Sequence, residues 1–211
     1  MKTITLKAPV LHALFAQAIA ASATNDTRPT LNGIHVSIKE GYIECTGADG
    51  FWLIRSKHLL DTKPSREATN PLKMDPIILH REDVLEVLKL VPYKLTSDHE
   101  PAHLTVSKEG GLDVVAMDFG KHRYYMATIS GAIPDFDSLI PTASTSINRS
   151  HFAANMRFMA ALGKLSKFTE SGIIRCFPGT EPGQPTLYKW RHDDHSVDAL
   201  ALIMPMFTQW D

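Results

Sequence analysis

The 211-residue sequence predicts an α+β fold in which one unit, a strand followed by a helix and three further strands, occurs three times in tandem. Three observations carry that prediction. Helical and strand-like periodicities recur in the same order along the chain, the helices begin near residues 8, 81 and 150, and polar, proline-bearing stretches separate the repeats. A spacing of roughly 70 residues is longer than that of the common solenoid repeats. Antiparallel sheets with the helices gathered on one face follow from it.

The first unit opens with the strand-like "TITLK", then a helix over 9–22 with Val10, Leu11, Leu14, Phe15, Ala18 and Ile19 at helical spacing. "GIHVSI", "YIECTGA" and "FWLIRS" read as its strands, parted by turns at Glu40-Gly41 and Asp49-Gly50. In the second unit "PIILH" is the strand and "REDVLEVLKLV" the helix, with Val84, Leu85, Val87, Leu88 and Val91 inward. "HLTVSK", "LDVVAMD" and "HRYYMATI" follow, broken at Gly110-Gly111 and Phe119-Gly120. The third unit runs from "STSINR" through a helix over 150–165 to "GIIRCF", "TLYKWRH" and the apolar "ALALIMPM". The polar segments 59–76 and 131–145 separate the units, and "PGTEPGQP" reads as a surface loop. A two-unit domain over 1–142 and a single unit over 143–211 are expected.

Apolar residues at 44% and charged residues at 21% are ordinary for a globular chain with a real core. A net charge of −1 argues against a generic nucleic-acid coat, although a local basic face is compatible with it. Cys45 and Cys176 are read as buried reduced thiols, which suits a cytoplasmic protein. The N-terminal "MKTITLKAPVLHALFAQAIAASA" mimics a secretion signal, but His12 and Gln17 interrupt its apolar run and Lys7 follows a strand-like segment. No run approaches the ~18 apolar residues of a membrane span, so no membrane association is expected.

Several stretches are similar to the bacterial DNA sliding clamps, whose building block is a tandem βαβββ unit. "RPTLNGIHVSI" with "YIECTGADGFWLIRS" resembles the clamp's middle domain, where an L-N-G strand precedes a T-D-G-H-R-L turn. "AIPDFDSLIP" resembles the F-P-D-Y…I-P segment that leaves that domain, and "ALALIMPM" resembles the terminal V-V-M-P-M. A bacterial clamp has six units in three domains. The resemblance therefore implies a shortened clamp-like chain, comprising the middle domain and the last half of the third.

In that family the three segments converge on an apolar pocket for short linear peptides of polymerases and repair proteins. The resemblance implies one wall from Leu31, Gly50, Phe51, Trp52 and Leu53, a floor from Pro134, Ser138 and Leu139, and a second wall from Leu202, Met204, Pro205 and Met206. Flexible methionines and a Trp anchor suit a surface that accepts several partners. Phe51-Trp52 replaces the family's H-R, and Ser138 replaces an arginine. Polar contacts are exchanged for aromatic surface, and a different peptide preference is implied.

The resemblance also implies sequence-independent DNA contact through basic helix faces. Arg149, Arg157, Lys164 and Lys167 on the third helix have no acidic residue among them, whereas Arg81 and Lys89 on the second are opposed by Glu82, Asp83 and Glu86. Weak, salt-sensitive binding is expected. An odd number of units leaves the third helix flank (Phe152, Met156, Met159) and a sheet edge without a mate, which predicts self-association through 143–211.

No enzyme is expected. "RHDDHSVD" has metal-ligand chemistry in His192, Asp193, Asp194 and His195, but it falls in a hairpin turn with no further ligands evident, and a solvated turn is the expected reading. There is no P-loop, no G-x-G-x-x-G and no defensible triad, so no cofactor is expected. The alternative to a clamp is a stand-alone peptide-binding module that never encircles DNA.

Overall fold

The first unit folds into β1 (Lys2–Lys7), α1 (Ala8–Ala21), β2 (Gly33–Lys39), β3 (Tyr42–Ala48) and β4 (Trp52–Leu59). The second repeats it as β5 (Met74–His80), α2 (Arg81–Leu90), β6 (Pro101–Glu109), β7 (Leu112–Phe119) and β8 (His122–Met126). The third contributes α3 (Met156–Lys164), a short 3-10 turn at Leu165–Phe168, β9 (Arg175–Phe177), β10 (Thr186–His192) and β11 (Val197–Ile203). These come from a computed structural model that describes residues 2–24, 27–39, 41–60, 74–93, 101–109, 112–140, 154–169, 172–179, 183–192 and 197–206.

The first two units exchange their opening strands. β1 pairs with β6 of the second unit, and β5 pairs with β2 of the first. The result is a four-stranded sheet, β1-β6-β7-β8, and a second sheet that begins β5-β2-β3-β4 and continues through β11-β10-β9. All pairings are antiparallel. The third unit thus adds its strands to the first unit's sheet at one seam, with Trp52 opposite Ile203 and Leu53 opposite Leu202.

Period-two alternation divides that sheet's two faces. Trp52, Ile54, Ala199, Ala201 and Ile203 face the main core, while Leu53, Leu202 and Leu200 join a separate apolar cluster with Leu31, Ala48 and Phe136. β3 and α1 approach so closely that a Cβ on Gly47 would lie 1.9 Å from the Ala18 carbonyl oxygen.

The two residues that break the apolar run of the first helix have structural partners. Gln17 is fully buried, donates to the Ala13 carbonyl at 3.0 Å and accepts the indole N–H of Trp190 at 2.7 Å. His12 donates from Nδ1 to the Val91 carbonyl at 2.7 Å. Burial lowers the His12 pKa, with the Val91 bond opposing and Lys167 assisting.

Some expectations are corrected. The third helix starts at Met156 rather than 150, because Asn155 is extended and its side chain accepts the Arg157 N–H as a cap. β9 is three residues, not the six of "GIIRCF"; it is a sheet edge, and Ile173 before it is exposed. β11 ends at Ile203, so Met204, Pro205 and Met206 leave the strand. Cys45 is buried, and burial raises its thiol pKa, but Cys176 is exposed. "STSINR" and the expected 142/143 boundary lie outside the described residues. None of the described helices is long and apolar enough to cross a membrane.

Candidate functional site

Where the third unit's sheet meets the first, three separated segments enclose a cleft of about 850 Å³. The first is the β3–β4 turn. Asp49 Oδ1 accepts the N–H groups of Phe51 (2.9 Å) and Trp52 (3.2 Å), fixing the turn. Gly50 adopts φ +93°, and a Cβ there would stand 2.8 Å from the Arg28 guanidinium. The positive φ favours glycine at that position, whereas the Arg28 side chain could swing aside.

The second segment is the strap 133–140. Asp135 Oδ1 caps it by accepting from the Asp137 and Ser138 N–H groups at 3.1 and 3.2 Å, and the Ser138 hydroxyl donates to the Asp135 carbonyl at 2.9 Å. Asp137 then ties the strap to the sheet, at 2.5 Å from the guanidinium of buried Arg55 and 3.2 Å from Lys39. Hydrogen bonding to Arg55 lowers the Asp137 pKa, against desolvation by burial and with smaller help from the Arg55 charge and from Lys39. Phe136 packs edge-on against His35, with ring centroids 4.8 Å apart.

The third segment is the tail of β11. The Met204 N–H donates to the Phe51 carbonyl at 3.0 Å, so the tail runs beside the turn after the strand has ended.

Ten residues expected at the pocket line this cleft: Leu31, Gly50, Phe51, Trp52, Leu53, Pro134, Ser138, Leu139, Leu202 and Met204. Leu31, Leu53 and Leu202 form its buried base, while Phe51, Leu139 and Met204 are exposed at its rim. Pro205 and Met206 do not line it. Trp52 differs in role from the expected open anchor: it is only 7% exposed, and its ring stacks on Phe158 at 5.1 Å. Phe51 supplies the accessible aromatic surface instead. Sequence reasoning missed Arg28, Thr30, Ala48, Phe136, Asp137, Ile140, Gln184 and Pro185 in the lining. Phe136 and Ile140 lay inside the segment already singled out, and their apolar character was the available signal.

The basic residues separate into two groups. Arg81 does not present a free cation: its guanidinium bonds the Ile19 carbonyl at 2.9 Å and the Ser22 hydroxyl, closing the C-terminus of α1. Lys89 pairs with Glu86 at 2.5 Å. Arg157 reaches Asp49 at 3.4 Å, and Lys167 lies over the Tyr93 and Phe168 rings. Lys164 is exposed near the end of α3. Arg149 lies outside the described residues, as do Asp193, Asp194 and His195. Among the described residues no cluster of three or more His, Cys, Asp or Glu side chains could hold a metal. Met156 and Met159 are exposed on α3, and Phe152 is outside the described residues.

No family model matches the chain. Its sequence is 25% identical over 182 residues to the beta sliding clamp of Treponema pallidum (strain Nichols), covering 86% of this chain and 44% of that protein. Among solved structures, the sliding clamp of Bartonella birtlesii bound to griselimycin matches 98% of this chain with a TM-score of 0.72 at 14% identity, over 66% of its own length. The DNA polymerase III beta subunit of Thermotoga maritima matches 98% at a TM-score of 0.71 and 15% identity, over 65% of its length. The fold is that of the DNA sliding clamps. Within that class the sequence is similar to the bacterial beta clamp, and the chain spans less than half of the curated relative and about two thirds of the solved ones.

Proposed function

We propose that this chain is a non-enzymatic, cytoplasmic accessory protein of DNA replication that captures short linear peptides of polymerase or repair partners in the cleft between its first and third units. The supporting observation is the convergence of the β3–β4 turn, the 133–140 strap and the β11 tail on one apolar hollow with a buried leucine base. A cleft at a junction of modules, with a few exposed apolar side chains at its rim, suits a peptide that inserts one or two large side chains. The Bartonella clamp with griselimycin bound shows that a protein of this fold accepts a ligand.

The test is fluorescence anisotropy with a labelled ten-residue peptide bearing adjacent Leu and Phe. Saturable binding is expected, and Leu139→Asp should weaken it at least about tenfold, since it places a charge at the desolvated rim. Leu139 is exposed, so the variant should keep its fold. Absence of binding, or binding indifferent to Leu139→Asp, overturns the proposal.

Oligomerisation and DNA association belong to the same reading, with exposed Met156 and Met159 supporting self-association and Lys164 and Lys167 a weak phosphate contact. The engagement of Arg81 and Lys89 within the protein favours the second reading, a peptide-binding module that does not encircle DNA. Retention on circular but not linearised DNA would decide for the ring.

A further inference from the structure

A second cleft, of about 510 Å³, adjoins the first on the same face of the seven-stranded sheet. The two share Asp137 and Ile140 in their linings, so they are neighbours on either side of the strap's end. Leu200 contributes apolar surface there, and Lys57 on β4 and Lys189 on β10 flank its strand, β11, on either side.

The charges are unequally occupied. Glu44 already faces Arg55 at 3.7 Å and Lys39 at 3.8 Å, Asp137 is held by the same two cations, and Asp198 lies 3.7 Å from Arg191. Lys57 and Lys189 rest over the rings of Tyr42 and Phe177 at 5.3 and 5.4 Å, and among the described residues neither forms an ion pair. Both are exposed. Three cations, Arg55, Lys57 and Lys189, match the carboxylates of Glu44, Asp137 and Asp198 in this groove, and Lys57 stands opposite Glu44 and Asp198 in register. Yet among the described residues the two ammonium groups form no close ion pair and are open to an incoming negative charge.

We propose that the second cleft receives an acidic flank of the same peptide whose apolar residues fill the first, with Lys57 and Lys189 selecting carboxylate side chains beside the anchor. The inference rests on the peptide reading of the first cleft. It names the partner's chemistry: a linear segment with a large apolar anchor and Asp or Glu residues a few positions away. Exposed charges contribute modestly to affinity and are screened by salt, so the preference should be moderate and strongest at low ionic strength.

Three labelled peptides test it: the Leu-Phe anchor in a Ser/Gly background, and the same anchor with three glutamates placed N-terminally or C-terminally. One acidic arm is expected to bind roughly fivefold tighter than the neutral peptide at low salt. That gain should vanish in the Lys57→Gln, Lys189→Gln double variant, which should bind the neutral peptide as the parent does. If the neutral peptide binds but neither acidic arm gains, or the gain survives the double substitution, the second cleft has no such role and the first keeps its own. If no peptide binds, the reading of the first cleft fails and this one with it.

Discussion

The first two units and the third are built from the same succession of strand, helix and strands, yet they are held together differently. The first pair exchanges opening strands, so each unit completes the other's sheet and α1 lies against α2. The third unit joins at one strand seam, β4 to β11, reinforced by side-chain links that include the Trp52–Phe158 stack, the Trp190–Gln17 hydrogen bond and the Arg157–Asp49 ion pair. Reciprocal exchange makes a pair depend on itself. A one-sided seam makes the third unit depend on its neighbour, and the cleft lies along that seam.

Breaking the seam should have the largest effect. Phe158 is 3% exposed and stacks on Trp52 on the core side of the sheet, behind the cleft. Phe158→Ala should cost about 3–5 kcal/mol, the range for removing a buried aromatic side chain. Amide hydrogen exchange should rise first over 154–206 while the β1-β6-β7-β8 sheet keeps its protection. Uniform loss of protection across the chain would show instead that the three units unfold as one body.

The difference also explains what was legible in the sequence. Repeat order, helix periodicity and strand alternation are local signals, and all three units could be read from them. The strand exchange is not local: nothing in "TITLK" states that it pairs with "HLTVSK" rather than with its own unit. The same limit applied to the site. Leu53 and Leu202 could be placed through resemblance to a family, but the inward turn of Trp52 depended on Phe158, a hundred residues away in a helix whose start was misread. Arg81 was expected to face the acidic residues of its own helix, but its acceptors, the Ile19 carbonyl and the Ser22 hydroxyl, lie about sixty residues earlier at the end of α1, beyond the reach of local pattern.

A second experiment sharpens the comparison from the side of the first pair. His35 on β2 is buried at 4% exposure, both ring nitrogens lack a well-formed hydrogen bond among the described residues, and the Thr30 backbone stands nearby. Burial pushes its pKa down to about 4 from an ordinary 6.5, with the Thr30 backbone opposing the shift. Above pH 6.5 the ring is neutral in both folded and unfolded chains and stability does not depend on it. As pH falls from 6.5 towards 4 the unfolded chain takes up a proton that the folded one resists, so stability declines by up to about 3 kcal/mol. Asp135, Asp137 and Glu44 line the same cavity, and Asp137, with its lowered pKa, loses its contribution only at more acid pH. Urea unfolding at pH 7 and pH 4.5 should reveal this decline, and His35→Phe should flatten it. A parent protein equally stable at both pH values would remove His35 as its source.

The smallest expected effect concerns the second link to the third unit. Trp190→Phe keeps an aromatic ring in the core but removes the indole N–H, leaving Gln17 Oε1 buried without its donor. An orphaned buried acceptor costs about 1–3 kcal/mol, less than the cavity left by Phe158→Ala. Because Gln17 lies on α1 and Trp190 on β10, the loss should lower the midpoint of urea unfolding without altering affinity for the neutral peptide, which occupies the first cleft, whose lining includes neither residue; Trp190 lines only the second. If Gln17→Leu and Trp190→Phe together restore most of what each loses alone, the hydrogen bond holds the seam by satisfying polar atoms that the fold has already buried. If the two losses simply add, the link contributes through packing, and the third unit is held by the strand seam and the Trp52–Phe158 stack.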